Sequence, residues 1–137
     1  MRVMLDADQA KEMSDMATLE LSSCGEELGN CWQDPDLALR LFAQMSPYVE
    51  ILREIQAGQG VSRLDVLREL AQRSLNDAMS TVDYERRAMS KVAAGDMDWC
   101  AVGKTPAESQ AATRAGIDER LREGEVAASV LAALEVR

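Results

Sequence analysis

The chain has 137 residues, 47% hydrophobic and 28% charged, with a net charge of −9 and no histidine. This balance excludes a disordered chain and a membrane-embedded one. The missing histidine excludes Ser-His-Asp triads, His-containing zinc sites and the carboxylate-histidine di-iron motif. A length of 137 residues suits one domain, 1–137, able to hide roughly two-thirds of its unfolded surface.

Residues 1–6 contain no apolar run long enough for a signal peptide, and no later stretch approaches 18 apolar residues. A cytoplasmic protein without a membrane partner is expected. The first helix is predicted from Asp6, where Asp6 and Gln9 form a capping-box pattern. Its apolar face is Ala10, Met13, Ala17, Leu21, Cys24 and Leu28, and Gly29-Asn30 suits a left-handed C-cap. The second helix starts at Asp34-Pro35-Asp36, with Asp34 as N-cap and Pro35 at the first helical position. Its stripe is Leu41, Met45, Tyr48, Leu52 and Ile55. Pro47 inside it predicts a kink or a split restarting at Ser46, and Gly58-Gln59-Gly60 ends it.

Ser62 with Asp65 predicts the start of a third helix. Leu64, Leu67, Ala71, Leu75, Ala78, Val82, Met89 and Val92 keep its helical period as far as Gly95. Asp65 with Arg68, Glu69 with Arg73, and Asp83 with Arg87 are spaced to pair along it. Thr105-Pro106-Ala107-Glu108 opens the fourth helix, whose face is Ile117, Leu121, Ala128, Leu131 and Leu134, supported by Asp118 with Arg122. Gly124 marks either a close helix contact or a break. The expected fold is an all-α, antiparallel up-down bundle of four main helices, with the third and fourth longest. In that topology Trp32 and Trp99 close one end together. The surplus length of helices three and four calls for a cover, most simply a second copy in a two-fold dimer.

Three cysteines do not make a disulfide framework, since Cys24 and Cys31 stand about 10 Å apart on one helix. Cys100, beside Trp99 and near Lys104, is a candidate reactive thiol. No glycine-rich phosphate loop precedes a lysine. Helix three intersperses Arg63, Arg68, Arg73, Arg86, Arg87 and Lys91 with acids and lacks interleaved aromatics, so nucleic acid is not expected as a partner.

Carboxylates remain. Residues 1–36 hold nine acids against Arg2 and Lys11, a local charge of −7, with Asp6, Asp8, Glu12, Asp15, Glu20, Glu26 and Glu27 as the acidic surface. Asp34, Asp36, Asp96 and Asp98 are expected at a common end, where they could hold a divalent cation. Glu26-Glu27-Leu28-Gly29-Asn30 resembles a fragment of the all-α nucleotide pyrophosphohydrolases related to MazG. That family holds magnesium on acidic residues of facing helices. The resemblance covers about five residues, and Asn30 stands where the family carries Asp.

These readings favour a non-catalytic protein-protein interaction role, as an adaptor, export chaperone or assembly factor, with no cofactor and no metal. The expected partner-binding residues are Met79, Val82, Met89, Val92, Ile117, Leu121, Leu131 and Leu134. Eight methionines, including Met13, Met16, Met45, Met79 and Met89, suit either core filling or an adaptable docking face. The alternatives are an acidic phage-type inhibitor or nucleic-acid mimic built on residues 1–36, and a carboxylate-metal enzyme of the MazG-like kind.

Overall fold

A computed structural model of the chain describes residues 1–31 and 33–136. They form α1 (Ala7–Asn30), α2 (Pro35–Ala57), α3 (Leu64–Ala93), a 3-10 turn (Met97–Trp99) and α4 (Pro106–Glu135). Among the described residues there is no strand, only an isolated bridge between Val3 and Val61. The fold is all-α, and α3 and α4, at 30 residues each, are the longest helices.

Local chemistry explains most of the boundaries. Asp6 accepts from the Gln9 N–H at 2.8 Å while the Gln9 side chain accepts from the Asp6 N–H at 3.0 Å, closing the expected capping box. Asp34 accepts from the Leu37 N–H at 3.2 Å, and Pro35 occupies the first position of α2. Gly58 ends α2 with φ +70°, the left-handed geometry that suits glycine. Thr105 accepts from the Glu108 N–H at 3.2 Å and donates to its carboxylate at 3.0 Å.

Three boundaries differ from the sequence reading. The C-cap of α1 is Cys31 at φ −134°, and Gly29 stays helical, so no left-handed cap forms there. α2 continues through Pro47 without splitting, leaving Ser46 inside the helix. α3 begins at Leu64, not Ser62, because Ser62 is engaged elsewhere: its N–H donates to Glu54 at 2.9 Å.

The chain divides into two compact units, Met1–Ser74 with Val126–Arg137, and Leu75–Glu125. The division falls inside α3 and α4. In the first unit Met13, Met16 and Ala17 of α1, Tyr48 and Ile51 of α2, Val66, Leu67, Leu70 and Ala71 of α3, and Val130 and Leu134 of α4 form one core cluster. Four helical segments therefore share that interior. Val3 and Val61, each 1% exposed, belong to the same cluster. Their backbones exchange hydrogen bonds of 2.9 and 2.8 Å, so residues 2–4 lie across the α2–α3 turn. Arg2 fastens this crossing through the Glu54 carboxylate and the Gly60 carbonyl, both at 3.1 Å.

Glu54 anchors the turn. Burial opposes its ionisation, but the Ser62 hydroxyl and N–H and the Arg2 guanidinium outweigh that and hold its carboxyl below the usual range. No hydrogen-bond partner among the described residues reaches its Oε1.

The second unit is a helical hairpin, made of the later part of α3 and the earlier part of α4. A Cβ on Gly124 would lie 3.5 Å from the Ala78 Cβ and 3.8 Å from Leu75 Cδ1. Further along, Tyr84, Glu85 and Ala88 of α3 share a pocket with Ser109 and Thr113 of α4. Residue numbers fall on one helix as they rise on the other, the register of an antiparallel pair. α4 continues unbroken through Gly124, so that glycine is no break, and the contact an added Cβ would make there is an ordinary one.

Candidate functional site

In the hairpin, Ala78, Val82, Val92 and Ile117 are the buried apolar residues among those described. Two helices can cover only one stripe of each other, and larger side chains stay outside. Met79 and Tyr84 are each 53% exposed, Met97 56% and Leu121 37%. Met79 directly follows the buried Ala78 and so projects about 100° away from it around the helix.

A pocket of about 340 Å³ opens beside the 3-10 turn, and Tyr84, Glu85, Asp98, Trp99, Ser109 and Thr113 contribute to its wall. The Tyr84 and Trp99 ring centroids stand 5.6 Å apart with their planes at 45°, a favourable tilted pair. The loop carrying Trp99 is held by its own polar atoms. Asp96 accepts from the Asp98 N–H at 3.2 Å, and the buried Ser109 hydroxyl accepts from the Ala101 N–H at 3.1 Å. The Cys100 thiol faces the Lys104 carbonyl oxygen at 3.4 Å.

The first unit contains a second concavity, of about 430 Å³, with Glu20 and Cys24 of α1, Tyr48 of α2, and Arg63, Glu69 and Arg73 around it. Its charges are already matched. Arg73 lies between Glu20 and Glu69, the latter at 2.9 Å, and the Tyr48 hydroxyl donates to Glu69 at 3.3 Å. The hydrogen bond to Glu20 raises the Arg73 pKa. Burial, followed by the nearby Glu69 charge, raises that of Tyr48, so the phenol stays protonated at neutral pH. Arg63 pairs with Glu50 at 2.5 Å and with Asp65 at 3.7 Å. This network links α1, α2 and α3.

The residues expected to bind a partner fall into two sets. Val82, Val92 and Ile117 are buried in the second unit and Leu134 in the first. Met89 and Leu131 are half-buried, and Met79 and Leu121 are exposed. Of the other methionines, Met13 and Met16 are buried and Met45 is half-buried.

The acidic surface divides in the same way. Asp6, Asp8, Asp15, Glu26 and Glu27 are exposed, whereas Glu12 and Glu20 are half-buried. Glu12 accepts from the buried Ser74 hydroxyl at 2.7 Å, and Glu20 pairs with Arg73. Along the helices, Glu69–Arg73 and Asp83–Arg87 pair as expected, at 2.9 and 3.0 Å, while Asp65 meets Arg63 and Arg120 meets Glu123 at 2.7 Å.

Asp34 and Asp96 serve as caps. Among the described residues no group of three or more Cys, Asp or Glu side chains converges as a metal-ligand set. All three cysteines are free thiols. Trp32, expected beside Trp99, lies outside the described residues; among the described residues Tyr84 packs against Trp99. Among the described residues no helix is long and apolar enough to cross a membrane. Sequence reasoning singled out Trp99 and Cys100 but missed Tyr84, Glu85, Ser109 and Thr113. The available signal was Tyr84 itself, a lone aromatic off the apolar stripe of its helix. No protein-family model, curated protein or solved structure matches this chain.

Proposed function

We propose that this chain is a non-catalytic interaction protein that docks another polypeptide on the 75–125 hairpin, a second copy being the simplest partner. The observation that carries this reading is the imbalance within the hairpin. Four small or medium apolar residues are buried, while Met79, Tyr84, Met97 and Leu121 face outward. Apolar area left in water is worth roughly 25 cal/mol per Å² when a partner covers it. Met79 and Met97 add flexible side chains that adapt to a partner's contour.

The acidic-mimic reading has weaker support. Glu12 and Glu20 are drawn inward to Ser74 and Arg73, and the exposed Leu19 interrupts the acidic face of α1. An enzyme of the MazG-like kind would need converging carboxylates. Glu26 and Glu27 stand exposed near the end of α1 and belong to no such group among the described residues.

The test is the double variant Met79→Lys/Leu121→Glu. The expected outcome is unchanged helicity with loss of apolar-dye binding and a fall in light-scattering mass from a multiple of 15.0 kDa to that value. A wild-type chain that scatters as a monomer, binds no dye and captures no partner that the variant loses would remove this function.

A further inference from the structure

We infer that the pocket beside Trp99 binds an organic cation, the ammonium or guanidinium head of a lysine or arginine side chain on a docked polypeptide. The source of that cation rests on the docking reading above; the chemistry of the pocket does not. Two aromatic rings, Tyr84 and Trp99, whose centroids stand 5.6 Å apart, line the cavity together with two carboxylates, Glu85 and Asp98. Among the described residues no basic side chain lines it. Aromatic faces carry negative quadrupole potential, and a cation within about 6 Å of a ring centroid is attracted to it.

Other ligand classes fit worse. An anion would meet Glu85 and Asp98. A purely apolar ligand would cover those carboxylates without pairing them, which costs free energy. A hard metal ion needs six to eight oxygen ligands, and among the described residues no group of three or more carboxylate or thiol side chains converges here. A cavity of about 340 Å³ is at the small end of ligand sites, room for one side chain rather than a large cofactor. The walls are also held before any ligand arrives. The Asp96 cap fixes the Asp98–Trp99 backbone and the Ser109 hydroxyl holds Ala101, so little ordering accompanies binding.

The experiment uses the full chain carrying Trp32→Phe, which leaves Trp99 as the sole indole, and repeats the key titration on wild-type protein by the Trp99 indole N–H resonance. The probes are N-acetyl-lysine methylamide, N-acetyl-arginine methylamide, a lysine-centred pentapeptide and its norleucine counterpart. Saturable changes are expected with the two amides and the lysine peptide, and none with norleucine. Glu85→Gln and Asp98→Asn should each weaken binding by at least about threefold with helicity unchanged. No saturable response to any basic probe, or one that norleucine or the two variants reproduce, overturns the assignment. Binding of the amides without the peptide overturns the polypeptide as source and leaves a small-amine site. Cation binding that survives in Met79→Lys/Leu121→Glu after self-association is lost separates this pocket from the apolar docking face. Self-association without cation binding defeats the pocket alone.

Discussion

The two units use the same helices for different ends. Residues 1–74 with 126–137 bury Val3, Met13, Met16, Ala17, Leu41, Tyr48, Ile51, Val61, Val66, Leu67, Leu70, Ala71, Ala127, Val130 and Leu134, whereas residues 75–125 bury Ala78, Val82, Val92 and Ile117. Four segments around one interior can cover several faces of α3 between Leu64 and Ser74. A single partner helix covers one narrow stripe between Leu75 and Ala93. Stability is therefore concentrated in the first unit, while large side chains left in water, and the pocket beside Trp99, are found in the second. One helix is thus covered on several faces at its start and on one stripe at its end.

The largest expected effect tests that division directly. Leu67 is 0% exposed, so Leu67→Ala should cost about 2–5 kcal/mol, read as a lowered denaturant midpoint. Val82, 2% exposed, sits in the thinner unit, and Val82→Ala should cost about 1–3 kcal/mol. Hydrogen exchange separates them. Leu67→Ala should speed exchange of the slowest amides in both units, and Val82→Ala chiefly those of residues 75–125. Equal protection of residues 66–74 and 83–93 in the wild type would erase the comparison and make the chain one cooperative block.

A second pair contrasts two left-handed glycines, Gly60 at φ +91° in the first unit and Gly95 at φ +88° in the second. A Cβ on Gly60 would come within 3.1 Å of Arg2 Cβ and 3.3 Å of the Val3 carbonyl, whereas one on Gly95 meets nothing within 4 Å. Gly95→Ala should carry backbone strain alone, about 1 kcal/mol, and Gly60→Ala about 1–3 kcal/mol because it also presses on the Val3–Val61 crossing. Similar losses by thermal melting would mean that residues 2–4 move aside without cost.

Much of this was legible in the sequence. Side-chain caps, proline at the first helical position and glycine stops are local signals, so Asp6, Asp34, Gly58 and Thr105 were readable, and Met13, Leu67, Ala71 and Val82 fell on the expected stripes. Errors arose where the deciding contact is distant. Ser62 carries a capping pattern, but Glu54, eight residues earlier, holds its N–H. Residues 126–134 are apolar nearly all round, so period alone placed the α4 stripe on Ala128 and Leu131, while Ala127 and Val130 are the fully buried pair. Val3 was invisible because a single β-bridge carries no periodicity. The pocket was half legible, since Tyr84 reaches Trp99 only through the hairpin register.

Acid should act on the first unit before the second. The Glu54 carboxyl is held below its ordinary value of 4.5, so it contributes stability above the unfolded pKa that is lost as pH falls through the folded one. From about pH 4.5 downward, Val3 and Val61 should lose exchange protection. Glu54→Gln should remove that part of the acid dependence while leaving the amides of 75–125 unchanged. An unaltered acid profile in Glu54→Gln would assign the loss to other carboxylates.

The smallest effect tests how closely the two hairpin helices approach. Gly124 lies inside α4, where glycine is about 1 kcal/mol less favourable than alanine. Its missing Cβ would sit 3.5 Å from Ala78 and 3.8 Å from Leu75, ordinary contact distances rather than clashes. Gly124→Ala should therefore stabilise the chain by about 0.5–1 kcal/mol, and more than Gly29→Ala, where nothing lies within 4 Å. The gain should concentrate in slower exchange of residues 75–125, narrowing the gap between the units. Destabilisation instead would show that helix packing, not conformational freedom, selects glycine at 124, and that the hairpin is held more tightly than its few buried side chains imply.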